Sequence, residues 1–246
     1  MPQDTPRKAD SRRISAYFFG DSLIDRPAIV TPDPHYDLPD VGASVQVLAH
    51  ETAGFFKLLR QRLQIMLPDR LVNCRTFARG GSTVRELERQ IRVASEGADD
   101  WDLSILCVGI NDIWRKFQGR RLEAVPYDEF VACYSAALNI LQARSKMTIC
   151  IGAPLAPAGE FRPAILRDLE LYNGAVRDLT NSCSEGGIFF LDLFGRFMSS
   201  ALLLQELDPP ESLWVDGVHL SPLGNVMAAD LIVRLLEEQQ LFKELR

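Results

Sequence analysis

Apolar residues follow two different periods along this chain. Short, nearly continuous apolar runs occur at 14–19, 71–77, 103–108, 147–151 and 188–193, each bounded by glycine, proline or polar residues, and they read as strands. Between them, apolar positions recur every three or four residues, the spacing that gathers side chains on one helix face. Phe55, Leu59, Leu63, Met66 and Leu67 mark a helix from about 53 to 66, stopped near Pro68. Val84, Leu87, Ile91 and Ala94 form the apolar face of the next, with Glu and Arg opposite. Phe130, Tyr134, Ala137, Leu138 and Leu141 mark a third, and a fourth runs from about 163 to 179. A last helix, from about 222 to 238, carries Met227, Leu231 and Leu235 on its inner side.

Strands alternating with helices imply right-handed crossover units and a parallel sheet covered on both faces, an α/β architecture. The run 103–108 is apolar at nearly every position, as a strand buried on both sides must be. Residues 1–13 are polar and read as a flexible arm, and the Pro- and Asp-rich stretch 27–42 reads as a long functional loop. The chain shows no internal repeat or linker, so 14–246 is expected to form one domain. In open parallel sheets ligands bind beyond the carboxyl ends of the strands, which is where chemistry should be sought.

Composition narrows the function. Of 246 residues, 47% are hydrophobic and 24% charged, enough for a core that needs no disulfide or metal to fold. The formal charge of −6 argues against a nucleic-acid partner, whose phosphates call for a basic excess. No apolar run approaches the roughly 20 residues that span a bilayer, and the N-terminus carries no signal-like apolar segment. The five cysteines form no CxxC pair, and Cys74, Cys107 and Cys150 fall in strand-like runs, where cysteine acts as a small buried hydrophobe. A reducing, cytoplasmic setting without membrane association is the expectation. The three histidines, His35, His50 and His219, are scattered, and Gly80-Gly81 lacks both the P-loop lysine and the dinucleotide spacing. No metal and no cofactor are therefore expected.

Four segments at strand ends or helix starts remain: Gly20-Asp21-Ser22-Leu23, Arg79-Gly80-Gly81-Ser82-Thr83, Gly109-Ile110-Asn111-Asp112 and Asp216-Gly217-Val218-His219. They supply what acyl transfer requires: a hydroxyl nucleophile, a base, a group to orient the base, and donors for an oxyanion. Taken alone, Ser22 also reads as a turn serine, Asp112 as a helix N-cap and Asp216 as a surface carboxylate.

Together and in this order, the four segments resemble the blocks of the GDSL, or SGNH, hydrolases, and the resemblance extends from about Ile14 to Leu236. It implies a flavodoxin-like three-layer α/β/α fold with a five-stranded parallel sheet in the order 2-1-3-4-5. It implies Ser22 as nucleophile, His219 as general base and then acid, and Asp216 as the partner that orients the imidazole. The oxyanion donors would be the backbone N–H groups of Ser22 and Gly81 and the side-chain amide of Asn111. The chain departs from the pattern at Ser82, where Asn or Asp is usual, and it doubles the glycine; alignment to Thr83 selects Gly81 over Gly80. The surroundings of Ser22 are not the Gly-x-Ser-x-Gly elbow of lipase-type α/β-hydrolases.

The expected reaction is hydrolysis of a small-molecule ester through an acyl-Ser22 intermediate, with a small acyl group such as acetyl. The same groups would serve an acyltransferase, and the fold could also host an inactive binding module. Asp21, Arg26, Arg79, Trp114 and Trp214 lie beside the four segments and are the candidates for substrate binding. Arg26 and Arg79, with Arg115, would form an electropositive rim or remain solvated; the tryptophans would wall the pocket or join the core.

Overall fold

The computed structural model describes residues 13–25, 54–96, 100–154, 162–183, 187–207 and 212–240. Five parallel strands form its sheet: β1 (Arg13–Gly20), β2 (Leu71–Thr76), β3 (Leu103–Cys107), β4 (Thr148–Ile151) and β5 (Ile188–Leu191). Their order is β2-β1-β3-β4-β5, as the resemblance implies. The three inner strands carry the core: Phe18, Phe19, Leu103, Ile105, Ile149 and Cys150 are fully buried. The outer strands are wetter. On β2 only Val72 is buried, and Cys74 is half-buried rather than interior.

Eight helices accompany the strands among the described residues: α1 (Ser22–Asp25), α2 (Phe55–Met66), α3 (Leu87–Ser95), α4 (Ile110–Phe117), α5 (Tyr127–Gln142), α6 (Arg162–Ser182), α7 (Leu193–Leu204) and α8 (Pro222–Glu238). A 3₁₀ turn, Val84–Glu86, leads into α3. Helix α2 packs on α8, α3 on α5, and α5 on α6, so each layer shares its own interface. The stripe residues predicted for α2, Phe55, Leu59 and Leu63, are buried, and so are Leu87, Ile91 and Ala94 of α3.

Two helices differ from the sequence expectation. The last strand ends at Leu191 instead of 193, because Asp192 caps α7 by accepting the Gly195 N–H at 2.9 Å. The run 110–117, for which the sequence reading drew no helix, forms α4 with Gly109 at its N-cap. Arg26 and the stretch 27–42, read as a functional loop, lie outside the described residues.

Candidate active site

Strand β1 delivers the first segment. Gly20 has φ 147°, and a Cβ there would sit 1.9 Å from the Cys107 carbonyl oxygen of β3, so only glycine fits where β1 turns. Asp21 then caps the turn: its Oδ1 accepts the Leu23 N–H at 3.0 Å and its carbonyl accepts that of Ile24 at 3.3 Å. Its carboxyl is fully buried, which corrects the expectation that it contacts substrate. Burial pushes its pKa up to about 7, opposed by the Leu23 N–H and assisted by Asp112. Ser22 opens α1, so its backbone N–H is among the first-turn donors that have no intrahelical acceptor.

The Asp216–His219 segment faces it from the loop before α8. Asp216 Oδ1 accepts the N–H groups of Val218 (3.0 Å) and His219 (2.6 Å), folding the segment into a tight turn. Asp216 Oδ2 lies 2.7 Å from His219 Nδ1, and His219 Nε2 lies 3.1 Å from Ser22 Oγ. Partial burial pushes the Asp216 carboxyl up, but the hydrogen bonds from His219 and Val218 outweigh it and hold the group below its ordinary value. An ionised Asp216 accepts a hydrogen bond from Nδ1–H, which leaves Nε2 as an acceptor toward the Ser22 hydroxyl.

The loop carrying this pair is braced on several sides. Ser221 caps α8 by accepting the Gly224 N–H and donates to the Ser212 carbonyl at 2.6 Å, with Pro222 at the first helical position. Asn225 accepts the Phe55 N–H at 2.8 Å, tying α8 to the start of α2. Trp214 donates its indole N–H to the Pro154 carbonyl beyond β4 and packs edge-on against Phe197. That is a bracing role, with the indole N–H already engaged.

The Gly81 segment lies between β2 and the 3₁₀ turn. Gly81 has φ 79°, a backbone conformation that favours glycine. Three side chains of α4 reach this loop: Asn111 Nδ2 donates to the Ser82 carbonyl at 2.9 Å, Asp112 Oδ1 accepts the Val84 N–H at 3.0 Å, and Arg115 donates to the Gly81 carbonyl. Asparagine has a second amide N–H to offer. Asp112 caps a helical turn, as its residue type led one to expect, but the turn is the one at Val84 and not its own α4. The Thr83 and Glu86 side chains close a capping box on the same turn.

Arg79 is exposed, while its backbone N–H donates to the Gly20 carbonyl and its carbonyl accepts the Ser82 N–H, both at 3.1 Å. Trp114 is half-buried against the core. The candidate Arg26 is outside the described residues. Among the described residues no group of His, Cys, Asp and Glu could hold a metal ion, and no helix is long and apolar enough to cross a membrane.

The sequence matches the GDSL-like lipase/acylhydrolase family over residues 18–226, an interval that contains Ser22, Gly81, Asn111, Asp216 and His219. The chain belongs to that family. As a GDSL-like acylhydrolase it is a carboxylic ester hydrolase. No curated protein sequence matches it. Among solved structures it is similar to Axe2, an acetylxylan esterase from Geobacillus stearothermophilus, with a TM-score of 0.67 at 23% identity over 90% of this chain and 93% of Axe2. A catalytic mutant of Axe2 with a histidine replaced by alanine matches at a TM-score of 0.67 and 22% identity, with the same coverage. LAE5, an alpha/beta hydrolase from the metagenome of Lake Arreo, Spain, matches with a TM-score of 0.68 at 21% identity over 90% of this chain and 94% of its own. At these identities the likeness is one of fold.

One residue beside this GDSL-like site escaped the sequence reading. Gln90 of α3 is buried; its Oε1 accepts the Gly20 N–H and its Nε2 donates to the Gly20 carbonyl, both at 2.9 Å, and to Ser82 Oγ at 3.2 Å. It therefore links the Ser22 turn to the glycine loop. The signal was a polar residue three positions after Leu87 and four before Ala94, inside an apolar stripe. Arg115, read from the sequence as a rim or solvated arginine, donates to the Gly81 carbonyl.

Proposed function

We propose that the chain hydrolyses esters of small acyl groups, acetyl in particular, with Ser22 as the nucleophile. The observation that carries this reading is the hydrogen-bonded series from Asp216 to His219 to Ser22, 2.7 Å and 3.1 Å long. In it, Ser22 Oγ forms a bond to the ester carbonyl carbon as its proton passes to His219 Nε2. The carbonyl π electrons move to oxygen, and the oxyanion is met by the N–H groups of Ser22 and Gly81 and by the Asn111 amide. Collapse expels the alcohol, which takes the proton from His219 and leaves an acyl-Ser22. Water then attacks by the same route, with His219 as base, and releases the acid. Asp216 stays ionised throughout and holds the imidazole in the productive tautomer.

The acetyl preference draws on the fold shared with Axe2, an acetylxylan esterase, and a sugar or other alcohol would be the leaving group. The site lies beyond the carboxyl ends of β1 and β3, where an open parallel sheet holds ligands. The reading needs neither metal nor organic cofactor.

The test is intact mass after treatment with a fluorophosphonate, on the wild type and on a folded Ser22→Ala variant. One adduct on the wild type and none on the variant is the expected result, followed by release of acetate from acetyl esters. Equal labelling of both proteins, or of neither, would overturn the role of Ser22. Transfer to an added alcohol in preference to water would replace hydrolysis with acyl transfer.

A further inference from the structure

The glycine loop is gripped from one side by α4, and the grip includes a residue that the family blocks do not contain. Asn111, Asp112 and Arg115 are spaced so that the third lies four and three positions after the others, on one face of the helix. Asn111 and Asp112 hold the Ser82 carbonyl and the Val84 N–H; Arg115 holds the Gly81 carbonyl. A Cβ built on Gly81 would find Arg115 Nη2 at 3.6 Å, so the guanidinium lies directly alongside this glycine.

Arg115 is itself anchored. Its side chain is only 17% exposed, little for a residue type that ordinarily faces water, and its Nη1 is 3.6 Å from Glu123 Oε2. Glu123 also pairs with Arg120, whose N–H donates to the Arg115 carbonyl at 2.9 Å. The short turn after α4 thus presents Glu123 to keep the guanidinium in place.

We propose that Arg115 is a positioning residue for ester cleavage, fixing the Gly81 carbonyl and thereby the direction of the Gly81 N–H. This rests on the reading of Gly81 as an oxyanion donor. A glycine at positive φ has wide conformational freedom, and the peptides on either side of it can rotate. The Gly81 carbonyl, held by Arg115, and the Ser82 N–H, held by the Arg79 carbonyl at 3.1 Å, belong to one peptide unit; with that unit fixed, the Gly81 N–H on the preceding unit is limited to rotation about the two Gly81 backbone bonds. A donor aimed in advance costs no reorganisation when the oxyanion forms.

The experiment is steady-state hydrolysis of p-nitrophenyl acetate, a neutral ester, by the wild type, Arg115→Ala and Arg115→Lys, with fluorophosphonate labelling rates and thermal melts on each. Loss of one oxyanion donor typically costs about 10²–10³ in kcat, and loss of its alignment should cost about 10- to 100-fold. The expected result is that fall in kcat for Arg115→Ala with KM within about twofold, the usual pattern for an interaction made in the transition state. Lysine should recover part of it, and guanidinium chloride at tens of millimolar should recover part of the alanine variant's rate where equal sodium chloride does not. A kcat within about twofold of wild type in a folded variant overturns the proposal, and so does a loss confined to KM, which would make Arg115 a substrate contact. Should the alanine variant fail to fold, Arg115→Lys decides by the same two criteria. A wild type that fluorophosphonate does not label would instead sink the serine-hydrolase reading, whereas equally fast labelling of wild type and variant sinks this inference alone.

Discussion

Asp112 is 1% exposed; its Oδ1 accepts the Val84 N–H at 3.0 Å, and its Oδ2 finds no hydrogen-bond partner among the described residues. Burial raises its pKa from the ordinary 3.8 to about 7, against the opposing pull of the Val84 N–H. Ionising it therefore costs the folded chain about 4 kcal/mol more than the unfolded chain. The sign follows from proton counting. Below the ordinary pKa both states hold the proton and there is no penalty. Between about 4 and 7 the unfolded chain releases the proton and the folded chain keeps it, so stability falls as pH rises. Above 7 the whole cost is in force. Asp21, also raised to about 7, acts with the same sign. Asp216 has the opposite sign, since its lowered pKa gives stability that is lost only as pH falls through the acid range.

Asparagine at 112 keeps the acceptor for Val84 and cannot ionise. Urea unfolding of the wild type and Asp112→Asn at about pH 5 and about pH 8.5, at fixed ionic strength, isolates the effect. The variant should gain about 2.7 kcal/mol relative to wild type on going from the lower pH to the higher, the part of the cost that accrues between pH 5 and the folded pKa of about 7. Stabilities that change equally in the two proteins would refute the claim that Asp112 is held neutral in the fold.

Other substitutions test separate parts of the site. Asp216→Asn removes the carboxylate that receives His219 Nδ1–H at 2.7 Å and favours the wrong tautomer, so kcat should fall by about 10⁴ with KM little changed, read by steady-state kinetics. Gln90→Leu leaves the Gly20 N–H without its 2.9 Å acceptor, while the Gly20 carbonyl keeps the Arg79 N–H at 3.1 Å; at about 1–3 kcal/mol for one stranded group, chemical unfolding should show a loss of roughly 1–3 kcal/mol, and kcat should drop as well. Gly20→Ala forces a Cβ to 1.9 Å from the Cys107 carbonyl at φ 147°, and should cost more than about 4 kcal/mol or abolish soluble expression.

How much of this was legible depended on whether the signal lay along the chain or across it. The order of the strands came only through the family resemblance, whereas the limits of α8 could be read, because Ser221-Pro222 is both N-cap and first-turn proline. Helix α4 was harder. Ile110, Ile113, Trp114 and Phe117 do have helical spacing, but Gly109 and Asn111-Asp112 at its start have the chemistry of a turn. Helix α7 was hidden because Leu193 and Phe194 extend the apolar run of β5 without a break. Ser22, Asp216 and His219 were legible through resemblance, with their spacing supplied by the strand ends. Arg115 was not, because its partner is a backbone carbonyl 34 residues earlier, and main-chain acceptors leave no mark on sequence.

The supports of the site divide into two assemblies. Gln90 joins Gly20 to Ser82, and α4 holds the glycine loop, so the nucleophile turn and the proposed oxyanion donors form one unit built on β1, β3 and their helices. Asp216 and His219 belong to another, braced by Ser221 on α8, by Asn225 on α2 and by Trp214 on the end of β4. The two meet at the 3.1 Å contact between Ser22 Oγ and His219 Nε2. A bond of that length tolerates little displacement before proton transfer suffers, so slackening either brace lowers kcat even when every reacting group is intact. Trp214→Phe, which keeps a ring for Phe197 and loses the donor to Pro154, would shift only the second assembly. Its kcat should fall while fluorophosphonate still labels Ser22, more slowly than in the wild type. Unchanged labelling and turnover would mean that the loop holds His219 without the indole.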